Sequence, residues 1–92
     1  MNIKKYVYPA QFVNEDNGSV SVYFPDLEGC MTYDDTLEGA AIMAQGALGD
    51  YIDAMIELNK ALPNPSKIEA VKTDSGIVML VVANIDYESK SA

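Results

Sequence analysis

The sequence predicts an α+β domain in the order β-β-β-α-β, with one long helix laid on a four-stranded mixed sheet. Three observations carry this expectation. Two early segments alternate apolar and polar residues with a period of two. An apolar stripe then recurs at helical spacing over about six turns. A β-branched apolar run comes last.

From Lys5 to Val13, one side of an extended chain carries Tyr6, Tyr8, Ala10 and Phe12, and the other carries Val7, Pro9, Gln11 and Val13. Residues 14–18 end in Asn17-Gly18, a strong hairpin signal because both residue types tolerate φ > 0. Ser19 to Phe24 alternates again, with Val20, Val22 and Phe24 inward. Pro25-Asp26 breaks that strand, and Leu27-Glu28-Gly29 leads into a short third strand around Cys30 to Tyr33. In this connection Pro25 and Gly29 shape a bend, Phe24 and Leu27 fill the core, and Cys30 reads as a structural thiol.

Asp35-Thr36-Leu37-Glu38 is a helix start, with Asp35 and Thr36 offering cap oxygens and Glu38 a first-turn carboxylate. Leu37, Ala41, Ala44, Leu48, Tyr51, Met55 and Leu58 form the predicted buried stripe. Pro63 and Pro65 stop the helix near Lys60 to Leu62. Gly39, Gly46 and Gly49 each cost roughly 1 kcal/mol relative to alanine, which points to close packing on the sheet. Lys67 to Lys72 carries no clear pattern. Ile77 to Ile85 is apolar at both parities and reads as an inner strand buried on both faces. A crossover through the helix would set it parallel to the first strand.

Ninety-two residues make one domain, which buries roughly 60–65% of its unfolded surface and is marginal alone. The single cysteine excludes an internal disulfide, and without histidine there is no Cys/His zinc cluster. Association is the remaining support. One helix covers one sheet face, so the other face or an edge is expected to make a homodimer or higher oligomer. No apolar leader is visible, and the longest apolar run, Ile77 to Ala83, is too short to span a bilayer. With a lone cysteine, the expected compartment is cytoplasmic.

Charge narrows the function. The net charge is −8, and all six basic residues are lysines. Phosphate recognition relies on clustered Lys and Arg, so nucleic acid is a poor partner and a basic protein a good one. The absence of histidine removes the common general base and the usual nucleophile partners. A metal-dependent nuclease would want carboxylates in the middle of the first and last strands, and both are free of them. No catalytic residue, metal ligand or cofactor is therefore expected. The rival readings are a remnant nuclease on Asp34, Asp35 and Asp50, and a non-catalytic oligomerisation module.

Tyr8-Pro9-Ala10, the run Phe24-Pro25-Asp26-Leu27-Glu28-Gly29-Cys30, and Asp35-Thr36-Leu37-Glu38-Gly39-Ala40 together resemble the HicB-type antitoxin domain of bacterial toxin–antitoxin pairs. Glu28 stands where that pattern has proline, and Gly39 where it has glutamate. The likeness extends over about residues 6–86. It implies a partly degenerate ribonuclease-H-like fold, no nuclease activity, and a small basic RNA-cleaving HicA-type toxin as partner. Within that resemblance Asp26, Glu28, Asp34 and Asp35, taken to cluster at one end of the sheet, are the expected toxin contacts. Family members usually continue into a DNA-binding module. Here residues 1–88 form the expected antitoxin domain and residues 89–92 a polar tail. Operator DNA would be bound only through such a further module.

Overall fold

The computed structural model describes the backbone of residues 2–90 and the side chains of residues 2–88. The first strand, β1 (Ile3–Asn14), is the spine of a four-stranded sheet ordered β3-β2-β1-β4, with β2 at Val20–Tyr23, β3 at Met31–Asp34 and β4 at Gly76–Asp86. All neighbouring strands are antiparallel. The element order matches the sequence-based expectation, but the sheet is not mixed. β4 runs opposite to β1, with Ile3 across from Asp86 and Val13 across from Gly76.

The path of the chain explains this reversal. Helix α1 (Leu37–Glu57) descends from the Asn14 end of β1 and finishes beside Lys4 and Tyr6 at the other end. Residues 59–75 then climb back before β4 starts. The Tyr8 hydroxyl donates to the Pro63 carbonyl (2.6 Å) on the helix side, and the Gln11 amide donates to the Lys72 carbonyl (2.6 Å) on the opposite face. Between them Ser66 is fastened to Asp26. The stretch at residues 67–72 that lacked a pattern is this return path. It contains a 3₁₀ turn, Ile68–Ala70, packed against β4.

Pro9 shows why the strap fits. The Asn14 N–H donates to the Ser75 carbonyl and the Tyr87 N–H to the Asn2 carbonyl. By antiparallel alternation, even-numbered β1 residues therefore bond toward β4 and odd-numbered ones toward β2. β2 pairs only from Gln11 onward. Pro9 thus lacks its N–H where no strand asks for one, and β1 loses no ladder bond.

Tyr8, Ala10 and Phe12 of β1 are buried on the helix side with Val20, Val22, Val81, Ala83 and Ile85. The helix meets them with Ala40, Ala44, Leu48 and Ile52, an i, i+4 row with 0% exposure throughout. The predicted stripe shared Ala44 and Leu48 with this row but was rotated away from Ile52. Leu37 and Leu58 from that stripe are exposed. The small Ala40 and Ala44 let the helix axis approach the sheet, which hydropathy alone under-weights.

The helix also stops earlier than the prolines suggested. Asn59 is left-handed (φ 58°), the Lys60 N–H donates to the Met55 carbonyl and the Asn59 N–H to the Ile56 carbonyl. That Schellman arrangement ends α1 at Glu57, with Leu58 as the C-cap.

β4 is an edge strand and not an inner one. Its odd-numbered residues Val81, Ala83 and Ile85 are buried under the helix, while Leu80 on the other face is 53% exposed. The two apolar parities have different causes, a core on one side and a largely open apolar face on the other. At its start, Gly76 has φ 126°, and a Cβ there would lie 1.8 Å from the Phe12 carbonyl oxygen.

Gly46 and Gly49 have no neighbour within 4 Å of a virtual Cβ, so they do not serve close packing. Replacing either by alanine is expected to raise unfolding free energy by up to about 1 kcal/mol in urea titrations. Gly76→Ala should lower it by more than either gain, because the new Cβ meets backbone and φ is unfavourable.

Candidate functional site

The segment at residues 24–30 is built as a folded turn. The Leu27 N–H donates to Phe24, the Cys30 N–H to Leu27 and the Phe24 N–H to Cys30, at 3.0 to 3.1 Å. Gly29 supplies a positive φ (81°). Phe24, Leu27 and Cys30 are buried. Burial pushes the Cys30 thiol up to about 11, and its Sγ faces the Ala47 carbonyl at 3.8 Å. The neighbouring acidic residues are not the cause.

The four acidic residues expected to act together fall into two places. The register sets Tyr23 opposite Met31 and Val20 opposite Asp34. The turn with Asp26 and Glu28 therefore lies at one end of β3 and Asp34-Asp35 at the other, about 10 Å away at 3.3 Å per residue. Proximity in sequence does not separate the two ends of so short a strand.

Asp26 is committed internally. Its carboxylate accepts from the Ser66 N–H (2.8 Å) and the Ser66 hydroxyl (2.6 Å), pinning the strap. Tyr8, beside it, has its phenol pushed up, first by burial and then by the Asp26 and Tyr51 charges. Glu28 is exposed on the turn.

At the other end, Thr36 is the helix N-cap and accepts from the Gly39 N–H at 3.0 Å. Asp35 does not share this cap. Asp34 does the supporting, its Oδ2 accepting from the Thr36 N–H at 3.3 Å. A Cβ on Gly39 would come within 1.9 Å of that same oxygen. Glycine at 39 therefore makes room for the Asp34 carboxylate over the first turn, where the helix dipole favours negative charge. The close approach expected of Gly39 is real, but to a carboxylate and not to the sheet.

Asp34, Asp35 and the exposed Glu38 thus converge at the start of α1. A shallow depression of about 360 Å³ lies between the β3 edge and the helix, lined by Thr32, Tyr33, Asp34, Asp35 and Met43. Tyr33 is 67% and Met43 46% exposed. This mixture of acidic groups and accessible apolar side chains suits a protein surface with matching basic and apolar groups. Sequence reasoning named Asp34 and Asp35 but missed Glu38, Tyr33 and Met43. The outward parity of Tyr33 on β3 was the available signal.

No group of three or more Cys, Asp or Glu residues able to hold a metal occurs among the described residues. Asp50 sits about 20 Å along the helix from its start, at 1.5 Å per residue, so Asp34, Asp35 and Asp50 form no joint site. No helix among the described residues is long and apolar enough to cross a membrane. Away from the acidic end, a concavity of about 690 Å³ is lined by Lys4, Lys5 and Lys60 with Tyr6 and Tyr87. The Tyr6 phenol, partly buried and hydrogen-bonded to Tyr87, is pushed up to about 12.

One helix on this antiparallel sheet is an architecture found in antitoxins. A toxin–antitoxin complex from Streptococcus pneumoniae superimposes with a TM-score of 0.74 at 21% identity, covering 97% of this chain and 74% of the other. A HicA3 and HicB3 toxin–antitoxin complex matches with a TM-score of 0.68 at 25% identity, over 85% of this chain and 98% of the other. Antitoxin HicB 2 of Photorhabdus laumondii is 38% identical over 63 residues, which is 68% of this chain and 45% of that protein. The present chain thus spans less than half the length of that relative. The model of the HicB-like antitoxins of bacterial toxin–antitoxin systems matches residues 8–91, and the chain belongs to that family.

Asp26→Ala should destabilise the protein by about 1–3 kcal/mol and speed proteolysis within residues 59–75, since both Ser66 bonds are lost. The thiol gives a pH test. With its folded value raised from 9.0 to about 11, Cys30 adds stability that is fully present below pH 9.0 and lost as pH rises toward 11. Urea titrations across that range should show a fall that Cys30→Ala makes shallower.

Proposed function

We propose that this chain neutralises a small basic RNA-cleaving HicA-type toxin by binding it, not by acting as an enzyme. The observation that carries the reading is the joint presentation of Asp34, Asp35 and Glu38 around the exposed Tyr33 and Met43. Family membership supports it, as does the likeness to a complex in which a HicB3 antitoxin is paired with a HicA3 toxin.

The physical mechanism is competition. A protein that cleaves RNA presents positive charge to phosphates. An acidic surface of matching shape occupies the same charges and excludes the substrate. The net charge of −8 steers the encounter and opposes direct binding of nucleic acid, so operator DNA would need a separate module. Asp26 is tied to Ser66, and Glu28 stands at the far end of β3, so the toxin contacts rest on Asp34 and Asp35 first. The setting proposed is the cytoplasm, where RNA and a reduced lone thiol are both found.

RNA cleavage by the purified toxin should stop at stoichiometric chain and recover as salt is raised. Asp35→Lys with Glu38→Lys should weaken the complex about tenfold or more while the far-UV spectrum is unchanged. Unchanged affinity in that double variant would move the toxin surface elsewhere. Failure of the native chain to protect RNA at any ratio would remove the reading altogether.

A further inference from the structure

β1 is paired with β4 along nearly its whole length, but with β2 only from Gln11 onward. Its odd-numbered residues aim their N–H and C=O groups toward the β2 side. Those of Ile3, Lys5 and Val7 therefore point where no strand follows. The strap crosses beyond them, between Tyr8 and Gln11. Its residues 59–65 form the facing wall, and among the described residues they make no backbone hydrogen bond to this stretch. About 13 Å of β1, at 3.3 Å per residue, is thus an open ladder.

The concavity of about 690 Å³ at the foot of α1 opens on this edge. Lys4 and Tyr6 enter it from the helix side, where the Lys4 ammonium lies 5.0 Å from the centre of the Tyr6 ring. Lys5 and Val7 belong to the other face by parity, so the hollow reaches round the edge itself. Lys60 joins them from the strap, and no carboxylate lines the hollow among the described residues. Half of the six lysines therefore gather at one stretch of unpaired backbone, in a chain of net charge −8.

We propose that an extended acidic segment of another protein adds to this edge as a strand, beside Ile3 to Val7. The open N–H and C=O groups supply ladder bonds, and carboxylates at alternate positions meet Lys4 and Lys60. Charge selects the occupant. A basic protein is repelled here and drawn to Asp34 and Asp35, about 30 Å away along the 21-residue helix at 1.5 Å per residue. A nucleic acid has phosphates for the lysines but no backbone N–H for the carbonyls of Ile3, Lys5 and Val7. The two ends of α1 can thus hold different partners at once, and this pairing does not rest on toxin binding.

The test titrates the native chain with a short capped peptide alternating glutamate and threonine, followed by residue-resolved amide exchange. The Lys5 and Val7 amides should slow, while those of Lys4 and Tyr6, already bonded to β4, stay as they are. Binding should weaken as salt rises, and the same peptide with lysine for glutamate should not bind. Lys4→Glu with Lys60→Glu should weaken it about tenfold or more. Val7→Pro removes an outward N–H and no β4 bond, as Pro9 already does on the same edge. It should weaken the peptide and keep the helical spectrum. Fast exchange of both amides at millimolar peptide overturns the proposal. So does equal binding of the lysine peptide, or unchanged affinity in Val7→Pro. Inorganic phosphate that matches the peptide while both amides stay fast would mark a simple anion site and overturn strand addition as well.

Discussion

The antiparallel ladder between β1 and β4 is the constraint from which the rest of the molecule follows. α1 ends where β1 begins, and β4 must begin where β1 ends. The chain therefore has to retrace the whole length of the sheet. Residues 59–75 do this by passing from the helix side, beside Tyr8, to the opposite face, beside Gln11. The gap they use exists because β2 leaves the lower half of β1 unpaired. Pro9 lies along that half without loss, and Asp26 ties the strap through Ser66. Gly76 completes the arrangement, since no side chain fits under the Phe12 carbonyl where β4 enters.

Much of this was written in local pattern. The period-two strands, the Asn17-Gly18 hairpin with Gly18 at φ 91°, and the folded turn at residues 24–30 follow from neighbours in sequence. The direction and position of β4 did not. Its apolar residues at both parities suit an inner strand and equally an edge strand with one open face. Only the route of residues 67–72, held by single bonds such as Gln11 to Lys72, distinguishes them. The candidate site was legible to the same degree. Asp34 and Asp35 stand out as charges, but Tyr33 and Met43 join them only once β3 and α1 lie side by side. Asp26 looked like another free acid and proved to be a clasp.

The start of the helix gathers negative charge, whereas its last turn ends in Glu57 and holds no basic residue. Asp34, Asp35 and Glu38 surround its positive N-terminus, while Lys60 lies just beyond its negative C-terminus with Lys4 and Lys5 nearby. Each carboxylate at the N-terminus is worth about 0.3–1 kcal/mol to the helix. The acidic groups proposed to meet a toxin thus already stabilise the fold on their own account. The surface is held in place before any partner arrives, which limits the ordering entropy lost on binding.

The late position of β4 also orders events during synthesis. The hairpin, the turn and α1 all leave the ribosome before residue 76, with one edge of β1 still bare. At that stage the core lacks Val81, Ala83 and Ile85, and nothing shields the inner ends of Tyr8 and Phe12 on that side. Completion waits for the final strand to slide in along β1. Until the segment up to residue 86 has emerged, the bare edge of β1 is open to capture by another extended segment.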